Sequence, residues 1–116
     1  MTSIAVIAAD QDTRDRLAAL VPPAYDVVCC GPNELPSPLP GLFVLALPGL
    51  RTPEEQLIER LRADVATTQI PIVIASALPM VELQSVPYAS DWTIAIVEEP
   101  VSATVLAETM QFLLDQ

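Results

Sequence analysis

The stretch Gly41–Gly49, GLFVLALPG, decides the fold. Leu42 to Leu47 is an unbroken apolar run closed by Pro48-Gly49. A run of that length between turn residues reads as a strand buried on both faces. Ile4–Ala8 in SIAVIAAD and Ile72–Ala75 in IPIVIASA read the same way, and Ile94–Val97 in WTIAIVEE follows late in the chain. With Tyr25–Cys30 as a further strand and helical periods between, the pattern predicts an α/β fold. Its core is a doubly wound, five-stranded parallel sheet with helices on both faces. In such sheets the chemistry collects at the carboxyl ends of the strands. Here those ends are mostly alanine.

A chain of 116 residues suits one domain, 1–116, with a single sizeable core. Hydrophobic residues make up 52%, yet no apolar run is long enough to span a bilayer, so no membrane contact is expected. The chain does not open on a basic segment followed by an apolar core, which makes a cytoplasmic location the expectation. A net charge of −10 argues against direct nucleic-acid contact, which needs Lys or Arg facing phosphates. There is no lysine and no histidine. That removes the commonest general base, the commonest metal ligand and any Schiff-base amine. The five cations are Arg14, Arg16, Arg51, Arg60 and Arg62, which read as solvated helix faces. Neither a metal nor another cofactor is expected, and an enzyme is not.

Asp10 or Asp12 can cap a helix over roughly Gln11 to Leu20, with Leu17, Leu20 and Val21 inward, stopped by Pro22-Pro23. Gly31 to Gly41, GPNELPSPLPG, carries four prolines in eleven residues. Each removes a backbone donor and fixes φ, so the segment reads as an extended loop where a helix would be expected. Thr52-Pro53-Glu54-Glu55 is a helix start: Thr52 caps, Pro53 suits the first turn and Glu55 closes a capping box. That helix runs to about Asp64, with Leu57, Ile58, Leu61 and Val65 on its apolar side. Between Leu78 and Asp91, broken by Pro79 and Pro87, at most Met80–Ser85 is helical. Ser102 caps a last helix to about Leu114, with Val105, Leu106, Met110 and Leu113 inward.

This layout resembles the receiver domain of bacterial response regulators over nearly the whole chain. Ile4–Asp10 is similar to that family's first strand and acidic corner. Pro40–Pro48 is similar to its acceptor strand. Ser76-Ala77 and Glu99-Pro100-Val101-Ser102 match its later landmarks. The resemblance implies strand order 2-1-3-4-5, with the second helix replaced by the Pro-rich loop and the fourth shortened. It also implies a degenerate phosphorylation pocket. Ala46 stands at the acceptor aspartate, Ala8 and Ala9 at the magnesium-holding acids, and Glu99 at the lysine. Only Ser76 keeps its hydroxyl. Without nucleophile, metal cradle or counter-charge, aspartyl phosphorylation has no chemistry left at this site. Ile96 replaces the family's switch aromatic. The chain is identified as a pseudo-receiver, a class used for binding rather than phosphotransfer.

Asp10, Glu98 and Glu99 either form a remnant cation site or are a cap and two solvated acids; one or two carboxylates rarely make a selective site. Ser76 either meets a ligand or satisfies backbone at a strand end. Cys29 and Cys30 point to opposite faces of a strand and show no cationic neighbour to activate a thiol. Tyr88 and Trp92 are either core plugs or exposed anchors for a partner, and Phe112 raises the same question. If Leu35 and Leu39 of the proline loop fail to cover the thinned face, an apolar patch stays open there. Two functions follow. One is a phosphorylation-independent, two-component-type signalling domain that binds a protein partner or a second copy, placed at the front of a longer regulator. The other is a ligand or redox sensor, whose small apolar pocket would take a small uncharged molecule.

Overall fold

The computed structural model describes residues 2–36, 38–83, 88 and 91–115, Met80 by its backbone alone. Five strands, β1 (Ser3–Ile7), β2 (Asp26–Cys30), β3 (Leu42–Leu47), β4 (Ile72–Ser76) and β5 (Ile94–Glu98), form one sheet in the order β2-β1-β3-β4-β5. All neighbours are parallel. β3 and β4 are buried at every position, as unbroken apolar runs require when helices cover both faces.

Strand alternation divides the core into two layers. Ile4, Val6, Val44 and Val73 pack against α1 (Gln11–Leu20) and α4 (Ala103–Leu114). Phe43, Leu45, Ile72 and Ile74 pack against α2 (Pro53–Ala63), against Leu83 of α3 (Met80–Leu83), and against Tyr88. Each aliphatic or Phe side chain fully removed from water contributes about 1.5–3 kcal/mol before chain entropy is set against it.

The helix starts follow their caps. Asp10, Thr52 and Ser102 accept the third-residue N–H of α1, α2 and α4, respectively. The capping box of α2 is displaced by one residue on its return arm. Glu55 Oε1 accepts from Arg51 N–H at 2.8 Å rather than from Thr52. Arg51 sits at φ 59°, and this left-handed turn brings its N–H to the carboxylate.

Two expectations are corrected. Val65 is 89% exposed, because α2 stops at Ala63 and the chain turns away before the next helical position on the apolar side. Val105 is exposed too; Leu106, Met110 and Leu113 define the buried stripe, and Val105 falls at its margin. In the proline loop Pro32 and Pro40 are buried, while Leu35 and Leu39 are 45% and 39% exposed. The prolines, not the leucines, hold the loop down, and Arg60 fixes it by donating to Pro32 O at 3.1 Å. Val28, on the α2 side of β2 by its pairing with Ala5, is left exposed. α3 is described over Met80–Leu83; the rest of its expected span, 84–85, and the break at Pro87 lie outside the described residues. No helix among the described residues is long and apolar enough to cross a membrane.

Candidate functional site

The carboxyl ends of β1, β3 and β4 converge on a wall of methyl groups. Ala46 pairs with Ala75, and Ala8 lies one step beyond the Ile7–Leu45 pair, beside Ala46. Ala8, Ala46 and Ala75 are buried together on the α1/α4 face. Above them is a cavity of about 280 Å³ lined by Ala8, Ala9, Ala46 and Pro48, with Asp10, Thr13 and Glu54 at its polar edge. A smaller recess, about 100 Å³, shares Thr13, Ala46 and Pro48 and ends at Arg16 and Glu99.

Each expected site residue has a definite place. Asp10 Oδ2 accepts from Thr13 N–H at 3.0 Å and from Thr13 Oγ1 at 2.9 Å. Those hydrogen bonds hold its carboxyl below the usual carboxylate range. Glu99 faces Arg16, whose Nη2 lies 2.9 and 3.2 Å from its two carboxylate oxygens. An arginine from α1 thus answers the acid at the end of β5, and among the described lining residues no cation is left over to meet an anion in the recess. Glu98 does not join the group: alternation turns it to the α2 side, and it is exposed. Ser76 is buried with its hydroxyl turned out of both cavities. Its Oγ donates to Leu78 O at 2.9 Å and accepts Leu78 N–H at 3.0 Å, so it closes the turn after β4. Among the described residues no cluster of three or more His, Cys, Asp or Glu has metal-site geometry.

Two residues of this site lie outside the sequence reading. Arg16 looks like one charge among several on α1. Glu54 looks like a first-turn acid placed for the helix dipole. It is only 3% exposed and lines the cavity, and its carboxylate meets no hydrogen-bond donor among the described residues.

Cys29 is exposed and Cys30 buried. Burial, with Glu34 nearby, pushes the Cys30 thiol up despite the Arg14 guanidinium. The expectation of no cationic neighbour is thus corrected, but the neighbour does not activate the thiol. Arg14 instead donates to Ala8 O at 3.0 Å.

The aromatic candidates separate. Tyr88 is a core plug, buried against the α2 side, with its hydroxyl on Glu55. Trp92 is 88% exposed and Phe112 65% exposed, while Ile96 is half-buried. Trp92 precedes β5 and Phe112 ends the helix that returns along it, which sets both at the amino-terminal end of the sheet.

No family model matches the chain, and no curated protein does. Solved structures do. A sensor protein from Polaromonas sp. JS666 aligns at TM-score 0.81 with 17% identity, over 98% of this chain and 96% of that one. The signal receiver domain of a DNA binding response regulator from Colwellia psychrerythraea 34H aligns at 0.74 with 19% identity over the whole of both. NtrX from Brucella abortus aligns at 0.78 with 17% identity, over 98% of this chain but 27% of that one. At such identities the likeness speaks for architecture. The chain has the fold of response-regulator receiver domains.

Proposed function

We propose that this chain is a degenerate member of the receiver family: a signalling domain that works without aspartyl phosphorylation, through protein–protein contact. One observation carries this reading. The position that the resemblance assigns to the acceptor is the methyl of Ala46, flanked by Ala8 and Ala9, and Arg16, the cation that lines the adjoining recess, is already engaged by Glu99. The site offers no carboxylate nucleophile at the end of β3, and Ser76, the remaining hydroxyl, is tied to Leu78.

The surface that supports contact is the amino-terminal end of β5, where Trp92 and Phe112 are exposed. Large exposed aromatics are the residue types that dominate interface energetics. The net charge of −10 favours a partner with a basic rim over a second copy of the chain. The match to about a quarter of NtrX supports a place within a longer regulator.

The test is mass in solution by light scattering, with intact mass spectrometry, before and after acetyl phosphate with magnesium. The expected result is no covalent adduct and no change of assembly. A phosphoryl adduct on the folded chain, or an oligomer shift with the reagent, overturns the reading.

A further inference from the structure

The cavity above the alanines has a charge that a phosphorylation-independent scaffold does not need. Glu54 stands at the second position of α2, where the helix dipole stabilises its negative charge. The residue is 3% exposed and its carboxylate meets no donor among the described residues, so its oxygens open only to the cavity it lines. A carboxylate in that position retains a strong demand for a positive or N–H-bearing group. Asp10 adds a second carboxylate at the same rim. The two arginines of α1 are committed elsewhere: Arg16 to Glu99, and Arg14 to Ala8 O on the side of Gly31. The lining of the cavity thus holds two carboxylates and no cation.

The remaining walls are the methyls of Ala8, Ala9 and Ala46 and the ring of Pro48. Such walls offer nothing to the water shell of a small divalent ion, which gives up its hydration reluctantly and asks for several oxygen ligands. They suit a short hydrocarbon. A volume of about 280 Å³ has room for about nine water-sized groups at roughly 30 Å³ each, enough for a short hydrocarbon and its head group.

We infer that this cavity binds a small primary alkylammonium ion, with its charged head on Glu54 and Asp10 and its short tail against Ala8, Ala9, Ala46 and Pro48. The ammonium donates hydrogen bonds to the carboxylates, and no bond is made or broken. This replaces the uncharged ligand expected from the alanines alone. The site lies at the opposite end of the sheet from Trp92, so it does not depend on the contact surface proposed above.

The experiment is an amide NMR titration of the whole chain with n-propylammonium, with propionate and 1-propanol as charge controls. Saturable shifts at Ala8, Ala46 and Glu54 are expected with the ammonium and not with the controls. Glu54→Gln, which keeps shape and loses charge, weakens binding by roughly tenfold or more, the loss of one charge-assisted hydrogen bond. Ala46→Leu fills the cavity and abolishes binding with Glu54 intact. Equal shifts with 1-propanol, unaltered affinity in Glu54→Gln, or no saturation with the ammonium each overturn the inference. So does a Glu54-dependent response to magnesium that propylammonium fails to displace. The comparison of the three probes on the unaltered chain stands if either variant fails to fold. Loss of ammonium binding leaves assembly at Trp92 untouched, so the two proposals fail separately.

Discussion

The Tyr88 hydroxyl donates a 2.7 Å hydrogen bond to Glu55 Oε2, while Glu55 Oε1 accepts the Arg51 N–H at 2.8 Å. One carboxylate thus ties the start of α2 to the residue that fills the space beside α3. The receiver-like α2 face is thinned by the proline loop, and Tyr88 packs with Leu83 of α3 against the α2 side of the sheet. Its ring fills the core, and its hydroxyl finds an acceptor at the boundary, as a buried tyrosine requires.

Tyr88→Phe keeps the ring and leaves one Glu55 oxygen without its donor. The expected loss is about 1–2 kcal/mol in denaturant unfolding. The same contact sets an alkaline limit. Burial first, then the hydrogen bond to Glu55 and its charge, push the Tyr88 phenol well above its ordinary value. The fold keeps the proton that the unfolded chain releases near pH 10. This stability is complete below about pH 10 and declines as pH rises further. Unfolding midpoints of the wild type and Tyr88→Phe therefore converge between about pH 10 and 11; a constant gap rules out the linkage.

The loop after α2 depends on one arginine. Arg62 donates to Thr67 O, Thr68 O and Ile70 O at 3.0, 3.1 and 2.7 Å. Its Nε lies 3.1 Å from Asp91 Oδ2, an ion pair whose angle does not make an aligned hydrogen bond. Arg62→Lys cannot span three carbonyls and a carboxylate, so it destabilises nearly as much as Arg62→Ala, by about 2–3 kcal/mol. Burial opposes the charge of Asp91, but Thr93's hydroxyl and N–H, with Arg62, outweigh it and hold the carboxyl below the usual range. A depressed acid stabilises above its unfolded pKa, near 4, and loses that contribution as pH falls through its folded value. Acid unfolding of Asp91→Asn should lack this component; an unchanged acid limb removes Asp91 from the account.

The strands were legible because burial on both faces leaves no room for polar residues, and GLFVLALPG or IPIVIASA then has one reading. The start of α2 and the missing second helix were legible because Thr-Pro-Glu-Glu and four prolines act on the local backbone. The site was less so. Glu54 and Glu55 are neighbours in one helical turn, yet one lines a cavity and the other receives a tyrosine from 33 residues away. Nothing in local sequence separates them, because the difference is made by what packs against the turn. Ser76 failed for the opposite reason: a local turn claimed its hydroxyl before any site could.

The adjacent cysteines should react unequally. Cys29 is exposed and Cys30 is buried with its thiol pushed up, chiefly by desolvation. A thiol-specific reagent at neutral pH should modify one site per native chain and two after denaturation, with Cys29→Ser removing the fast phase. Two fast sites in the native chain would contradict the burial of Cys30 at the end of β2.

The contact surface can be read through Trp92 because it is the only tryptophan. At 88% exposure its removal takes little packing with it. Trp92→Ala should leave unfolding within about 0.5 kcal/mol of wild type. Its emission in the free chain should be that of a solvated indole, open to acrylamide quenching. In a complex the ring loses water, so emission should move to the blue and quenching fall. Truncation of an aromatic anchor at the centre of a contact typically costs about 2 kcal/mol or more of binding. Loss of association in Trp92→Ala with stability preserved would place the contact at the amino-terminal end of β5. Unchanged association, with emission still that of solvated indole, would move it to the exposed strip of Val28, Leu35 and Leu39 on the thinned α2 face.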